Sequence, residues 1–91
     1  RLSETAREKA AIIYQILNSA KEIFQTNSAE QTIKFVENEF KKHPEFELEY
    51  FEIADEATLL PVSEKESEKK YRGFIAIFIE NIRLIDNISL N

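Results

Sequence analysis

Between residues 3 and 25 the apolar positions Ala6, Ala10, Ile13, Leu17, Ala20 and Phe24 recur at steps of four and three, which stacks them on one face of an amphipathic helix. Ile12, Ile16 and Ile23 widen that stripe, so the helix is expected to pack on more than one neighbour. Ser3 is placed to cap its first turn, and Glu4 and Glu8 sit where the helix dipole favours negative charge. Gln25-Thr26-Asn27 closes the helix, with Asn27 expected in the left-handed conformation that ends many helices. Ser28-Ala29-Glu30-Gln31 then has capping-box spacing, and a second helix follows to about Lys42 with Ala29, Ile33, Val36 and Phe40 inward. Lys41, Lys42 and His43 collect at its C-terminal end, and Pro44 prevents continuation.

From Phe46 the period changes from helical to two. Phe46-Glu47-Leu48-Glu49-Tyr50 alternates as a half-buried strand does, but Phe51 and Ile53 are apolar on the opposite parity. Either both faces are partly covered there, or a bulge between Tyr50 and Phe51 restores the register. Asp55 to Pro61 reads as a turn with a short helical piece. Ser63 to Arg72 holds seven charged residues in ten and predicts a solvated loop. The apolar run Phe74 to Ile79 is too short for a buried helix and reads as a central strand covered on both faces. Glu80-Asn81 supplies a tight turn, and Ile82 to Ile88 is the partner strand. The pattern predicts an α+β domain: a helical hairpin packed on a small three-stranded, mainly antiparallel sheet.

Ninety-one residues make one domain, spanning 1–91, and 43% hydrophobic residues suffice for a single core. A formal net charge of −5 without a basic stripe argues against nucleic acid as a partner. The longest apolar run falls far short of the ~20 residues that span a bilayer, and no signal peptide opens the chain, so no membrane partner is expected. Absence of Cys excludes disulfides and thiolate chemistry and fits a cytoplasmic location. The chain begins at Arg1 and contains no Met, as a piece of a longer protein would.

Catalytic chemistry is sparse. The single His, His43, stands in a helix-ending context rather than among metal ligands. The single Gly, Gly73, relieves crowding where a strand begins, whereas a phosphate-cradling loop needs several. Ser3 and Ser28 read as caps, Ser63 and Ser67 lie in the charged loop, and Glu47, Glu49 and Glu52 read as surface acids. Arg83-Leu84-Ile85-Asp86-Asn87 puts a cation and an anion in an apolar strand, on opposite faces by alternation. Each is expected to find a partner elsewhere, Arg83 a carboxylate of the 46–53 strand and Asp86 a backbone N–H; a substrate or inter-domain contact is the other reading. No catalytic, cofactor-binding or metal-binding residue is assigned.

Leu2-Ser3-Glu4 with Arg7, Tyr50-Phe51-Glu52-Ile53-Ala54-Asp55 with Thr58-Leu59 and Pro61-Val62, and Arg83-Leu84-Ile85-Asp86-Asn87-Ile88 resemble, in order, the C-terminal domain of the pantothenate synthetase (pantoate–β-alanine ligase) family. The resemblance implies an enzyme that joins pantoate to β-alanine with ATP and magnesium, through a pantoyl-adenylate, releasing AMP and pyrophosphate. It implies an N-terminal nucleotide-binding domain as partner, carrying the paired histidines and the Ser-Ser-Arg-Asn loop, and a homodimer in the full enzyme only. None of those catalytic positions exists in this sequence. The role that carries over is a lid that keeps water from the adenylate, inactive alone and binding no cofactor itself. The chain departs from the family in its longer charged loop and in lacking Gly at the last hairpin turn and between the helices. A stand-alone acidic cytosolic module that binds a protein partner without catalysis is the alternative.

Overall fold

In the computed structural model, which describes residues 4–62, 64–66 and 68–91, the element order is α1 (Glu4–Phe24), α2 (Ala29–Lys41), β1 (Phe46–Asp55), β2 (Tyr71–Ile79) and β3 (Ile82–Ser89). The three strands form one antiparallel sheet in the order β1-β2-β3. The helical hairpin lies on one face of it, α2 over β1 and α1 over the β2–β3 side. The α+β architecture expected from the periodicity is the one observed.

The helix caps follow local chemistry. Ser28 N-caps α2: its Oγ accepts from the Gln31 N–H at 3.1 Å and the Gln31 Oε1 accepts from the Ser28 N–H at 2.9 Å. This closes two otherwise open donors. Ser3 lies outside the described residues. Asn27 does not take the left-handed conformation expected of it, since positive φ among the described residues occurs only at Leu59, Glu80 and Asn81. Its side-chain amide donates to the Ile23 carbonyl at 3.0 Å instead. Lys65 donates to the carbonyls of Phe24 and Asn27 and sits 4.4 Å over the Phe24 ring, so a cation from the charged loop terminates the α1 dipole.

Between helices and sheet runs one core, in which Leu17, Phe24, Val36, Ile53, Tyr71, Ile75, Ile77, Ile79 and Leu90 are essentially inaccessible to solvent. Phe24 meets Tyr71 edge-on at 5.6 Å and Phe40 meets Phe46 edge-on at the same distance, so the core is pinned at both ends of the sheet. Thr32 and Asp55 are the buried polar residues among those described, and the Thr32 hydroxyl donates to the Ser28 carbonyl at 2.9 Å.

Four expectations change in detail. The bulge in β1 lies between Leu48 and Tyr50, so Glu49 is the extra residue rather than a kink following Tyr50. Asp55 to Pro61 contains no helical piece; Leu59 donates to the Asp55 carbonyl at 2.7 Å, Asp55 to the Leu60 carbonyl at 3.0 Å, and Leu59 has φ 60°. β2 begins at Tyr71, three residues earlier than the apolar run suggests, because Tyr71 pairs with Asp55 and buries its ring under α1. Finally, β2 is covered by helices on one face only: Arg72, Phe74 and Phe78, pointing away from them, remain half-buried.

The hairpin turn at Glu80-Asn81 has φ of 50° and 66° at its two central residues, the geometry that matches strand twist. Asn81 adopts it readily and Glu80 at some cost. Gly73 faces α1 opposite Ile53, where an added Cβ would lie 2.9 Å from the Phe51 ring. The close approach of an aromatic ring, not a special φ, is what requires glycine there.

Candidate functional site: the open face of the sheet

Strand register sorts the side chains by face. Phe46, Leu48, Phe51 and Ile53 of β1, Ile75, Ile77 and Ile79 of β2, and Leu84 and Ile88 of β3 point to the helices. The other face presents Glu47, Tyr50 and Glu52 from β1, Phe74, Ala76 and Phe78 from β2, and Arg83, Ile85 and Asn87 from β3. Tyr50, Phe74, Phe78 and Ile85 are absent from the helix-side core and make an apolar strip across this surface.

Charges frame the strip and neutralise one another. The Arg83 Nε donates to Glu49 Oε1 at 2.7 Å and its terminal nitrogen to Oε2 at 3.2 Å. This two-pronged bond holds the Glu49 carboxyl below its ordinary pKa and raises that of the guanidinium. Arg72 donates to Asn87 Oδ1 at 2.7 Å and lies 3.3 Å from Glu56. Both arginines of the face are therefore engaged by this chain's own side chains.

Asp86 points the opposite way, as alternation requires, and its Oδ1 accepts from the Asn87 N–H at 2.8 Å. It borders a cleft of about 190 Å³ between α1 and β3, lined by Ala10, Tyr14, Leu17, Leu84 and Ile85 among others. The expectations that Arg83 pairs with a carboxylate of the 46–53 strand and Asp86 with a backbone N–H describe the observed bonds.

At the far end, Asp55 Oδ1 accepts from the N–H groups of Thr58 and Ala57, at 3.2 and 2.8 Å, and Lys69 lies 3.7 Å from Oδ2. Those two backbone bonds, Thr58 first, hold the Asp55 carboxyl below its usual value. Lys69 in turn is raised chiefly by Glu66, 3.2 Å away. The Glu66 N–H donates to the Tyr71 hydroxyl at 2.7 Å, so the described part of the charged loop is tied to the core at Lys65, Glu66 and Lys69. Sequence reasoning missed this because it averaged charge over the loop; Tyr71, the one aromatic residue in that stretch, was the available signal.

The remaining candidates stay apart. His43 packs on Phe46 at 5.8 Å and lies 4.0 Å from Glu45 at the end of α2. Glu47 and Glu52 are exposed, and Ser63 and Ser67 lie outside the described residues. Among the described residues no three His, Cys, Asp or Glu side chains converge as a metal site, and no helix is long and apolar enough to cross a membrane. The surface is a charge-neutralised apolar face on the side of the sheet away from the helices.

The chain belongs to the pantoate–β-alanine ligase family, whose model matches residues 1–89. It is 54% identical over its whole length to the pantothenate synthetase of Christiangramia forsetii and 54% identical over 90 residues to that of Flavobacterium psychrophilum. The crystal structure of pantothenate synthetase from Thermus thermophilus superposes on 98% of this chain with a TM-score of 0.81 at 32% identity. The chain spans about a third of the length of these relatives (32% in each case) and corresponds to their C-terminal domain.

Proposed function

We propose that this chain is the lid domain of an ATP-dependent ligase that condenses pantoate with β-alanine through a pantoyl-adenylate. The observation that carries the reading is the family match over residues 1–89 together with 54% identity along the full chain to a named pantothenate synthetase. ATP, magnesium and both substrates are handled by the preceding nucleotide-binding domain, which also forms the homodimer of the cytoplasmic enzyme. The present domain supplies closure. A mixed anhydride is open to hydrolysis by the abundant solvent as well as to attack by an amine, so its survival depends on excluding water until β-alanine arrives. A stiff sheet on a helical hairpin moves as one body and suits that task. The stand-alone module reading is disfavoured by the relatives, each about three times as long as this chain.

The test is to supply ATP, magnesium, pantoate and β-alanine to the full-length protein carrying this domain, and separately to the 91-residue domain. Stoichiometric pantothenate, AMP and pyrophosphate from the first and none from the second is the expected result. Turnover by the domain alone, or no ATP-dependent amide formation by the full-length protein, would overturn the proposal.

A further inference from the structure

We infer that the helix-free face of the sheet, not the helical layer, is the surface that docks on the preceding domain of the ligase. This deepens the lid reading and rests on it. The domain is 17 Å through its thinnest direction, room for one sheet and one layer of helices, so the second face of the sheet has no cover among the described residues. That face nevertheless carries the apolar strip of Tyr50, Phe74, Phe78 and Ile85, with Ile85 62% exposed. Burying the large side chains of such a strip is favourable, a gain that a solvated face forgoes.

The occupant is identified by connectivity and by charge. α1 runs antiparallel to β2, since Phe24 stacks on Tyr71 while Ala10 and Ile13 lie beside Ile77 and Leu84. The two thirds of the relatives that precede this region therefore join it at the end of the sheet that carries the Glu80-Asn81 turn. Phe78, Arg83 and Glu47 of the open face lie in adjacent strands at that same end. Arg83 and Arg72 are already bonded to Glu49 and Glu56, leaving no free guanidinium in the strip for a triphosphate. Such a surface fits a protein partner better than a nucleotide. By contrast, the outer side of α1 at Ala11, Gln15 and Glu22 is exposed and carries a single large exposed apolar group at its border, Tyr14, rather than a strip.

Site-directed thiol labelling tests this in the full-length protein. Glu52→Cys places a thiol on the open face beside Phe74, and Gln15→Cys places one on the outer helical face; both parent residues are exposed. Alkylation by N-ethylmaleimide, followed by mass spectrometry of the labelled peptide, is compared with and without ATP plus pantoate. Expected is a slowing of about tenfold at E52C, the loss that follows when nine-tenths of the molecules are closed, with no change at Q15C. Protection at Q15C, with or without protection at E52C, would overturn the choice of face while leaving the lid reading intact. Protection at neither would overturn both. Protection at E52C that appears without ligand and grows with protein concentration would make a second copy the occupant, against the inference.

Discussion

Arg83 of β3 reaches across the whole width of β2 to Glu49 of β1, closing a two-pronged ion pair at 2.7 and 3.2 Å on the face that carries Phe78. The residue directly across the sheet from Arg83 is Glu47, by way of Phe78. The partner is nevertheless Glu49, the bulged residue, whose side chain the bulge turns toward the open face. Both groups are substantially exposed, so the pair adds little to stability by itself. Its effect is to fix the outer edges of the sheet relative to one another.

Deleting Glu49 tests the bulge. Without it, Leu48 faces the helices, Tyr50 faces away and Phe51 faces the helices, so every other side chain keeps its face. The deletion variant is expected to unfold cooperatively with a small loss. Deleting Leu48 instead removes a helix-facing apolar side chain, at a cost of about 2–5 kcal/mol. Paired chemical denaturation curves decide: equal losses would mean the register is set elsewhere.

Gly73→Ala is expected to destabilise by about 1–3 kcal/mol, because the new methyl group would meet the Phe51 ring at 2.9 Å within a packed core. The double variant Gly73→Ala with Phe51→Leu should recover part of that loss. Urea midpoints measure both, and an unchanged midpoint for the single variant would show that the ring moves aside freely.

Acid should loosen the Asp55 turn. Its carboxyl titrates lower in the fold than in the unfolded chain, so the unfolded state takes up the proton first as pH falls. Its contribution is complete above the unfolded value of about 3.9 and disappears as pH drops through the folded value. Wild type should therefore exceed Asp55→Ala in denaturant midpoint at pH 7, and the gap should shrink below about pH 4. A gap that does not change with pH would assign the effect to packing alone.

Much of this arrangement is legible in the sequence because it rests on local rules. The capping box at Ser28, the period-two alternation of 46–48 and the two-residue turn at Glu80-Asn81 each depend on neighbouring residues. Arg83 was legible for a different reason: a lone cation on an otherwise apolar strand requires a carboxylate, and the first strand offered several. What escaped depends on distant contacts. Tyr71 sits in a charged stretch and is buried only because α1 brings Phe24 over it. Leu90 is buried beyond the last strand, where Gln25 holds its carbonyl at 2.6 Å and its own N–H donates to Tyr71. The closure of α1 by Lys65 joins residues 41 positions apart, which no local pattern announces. The open face was missed because an all-apolar strand reads as doubly covered, although the described residues form no second layer over it.

The most direct test of the lid is the fate of the adenylate when no amine is present. Full-length protein is mixed with ATP, magnesium and pantoate but no β-alanine, and AMP release is compared between wild type and Ile85→Asp. Ile85 is 62% exposed in this domain, so the change leaves the domain's own fold largely untouched and acts through closure. The account predicts slow AMP release from wild type and markedly faster release from the variant, as water reaches an anhydride no longer sealed. Equal rates, with the variant folded, would mean that this domain does not guard the intermediate.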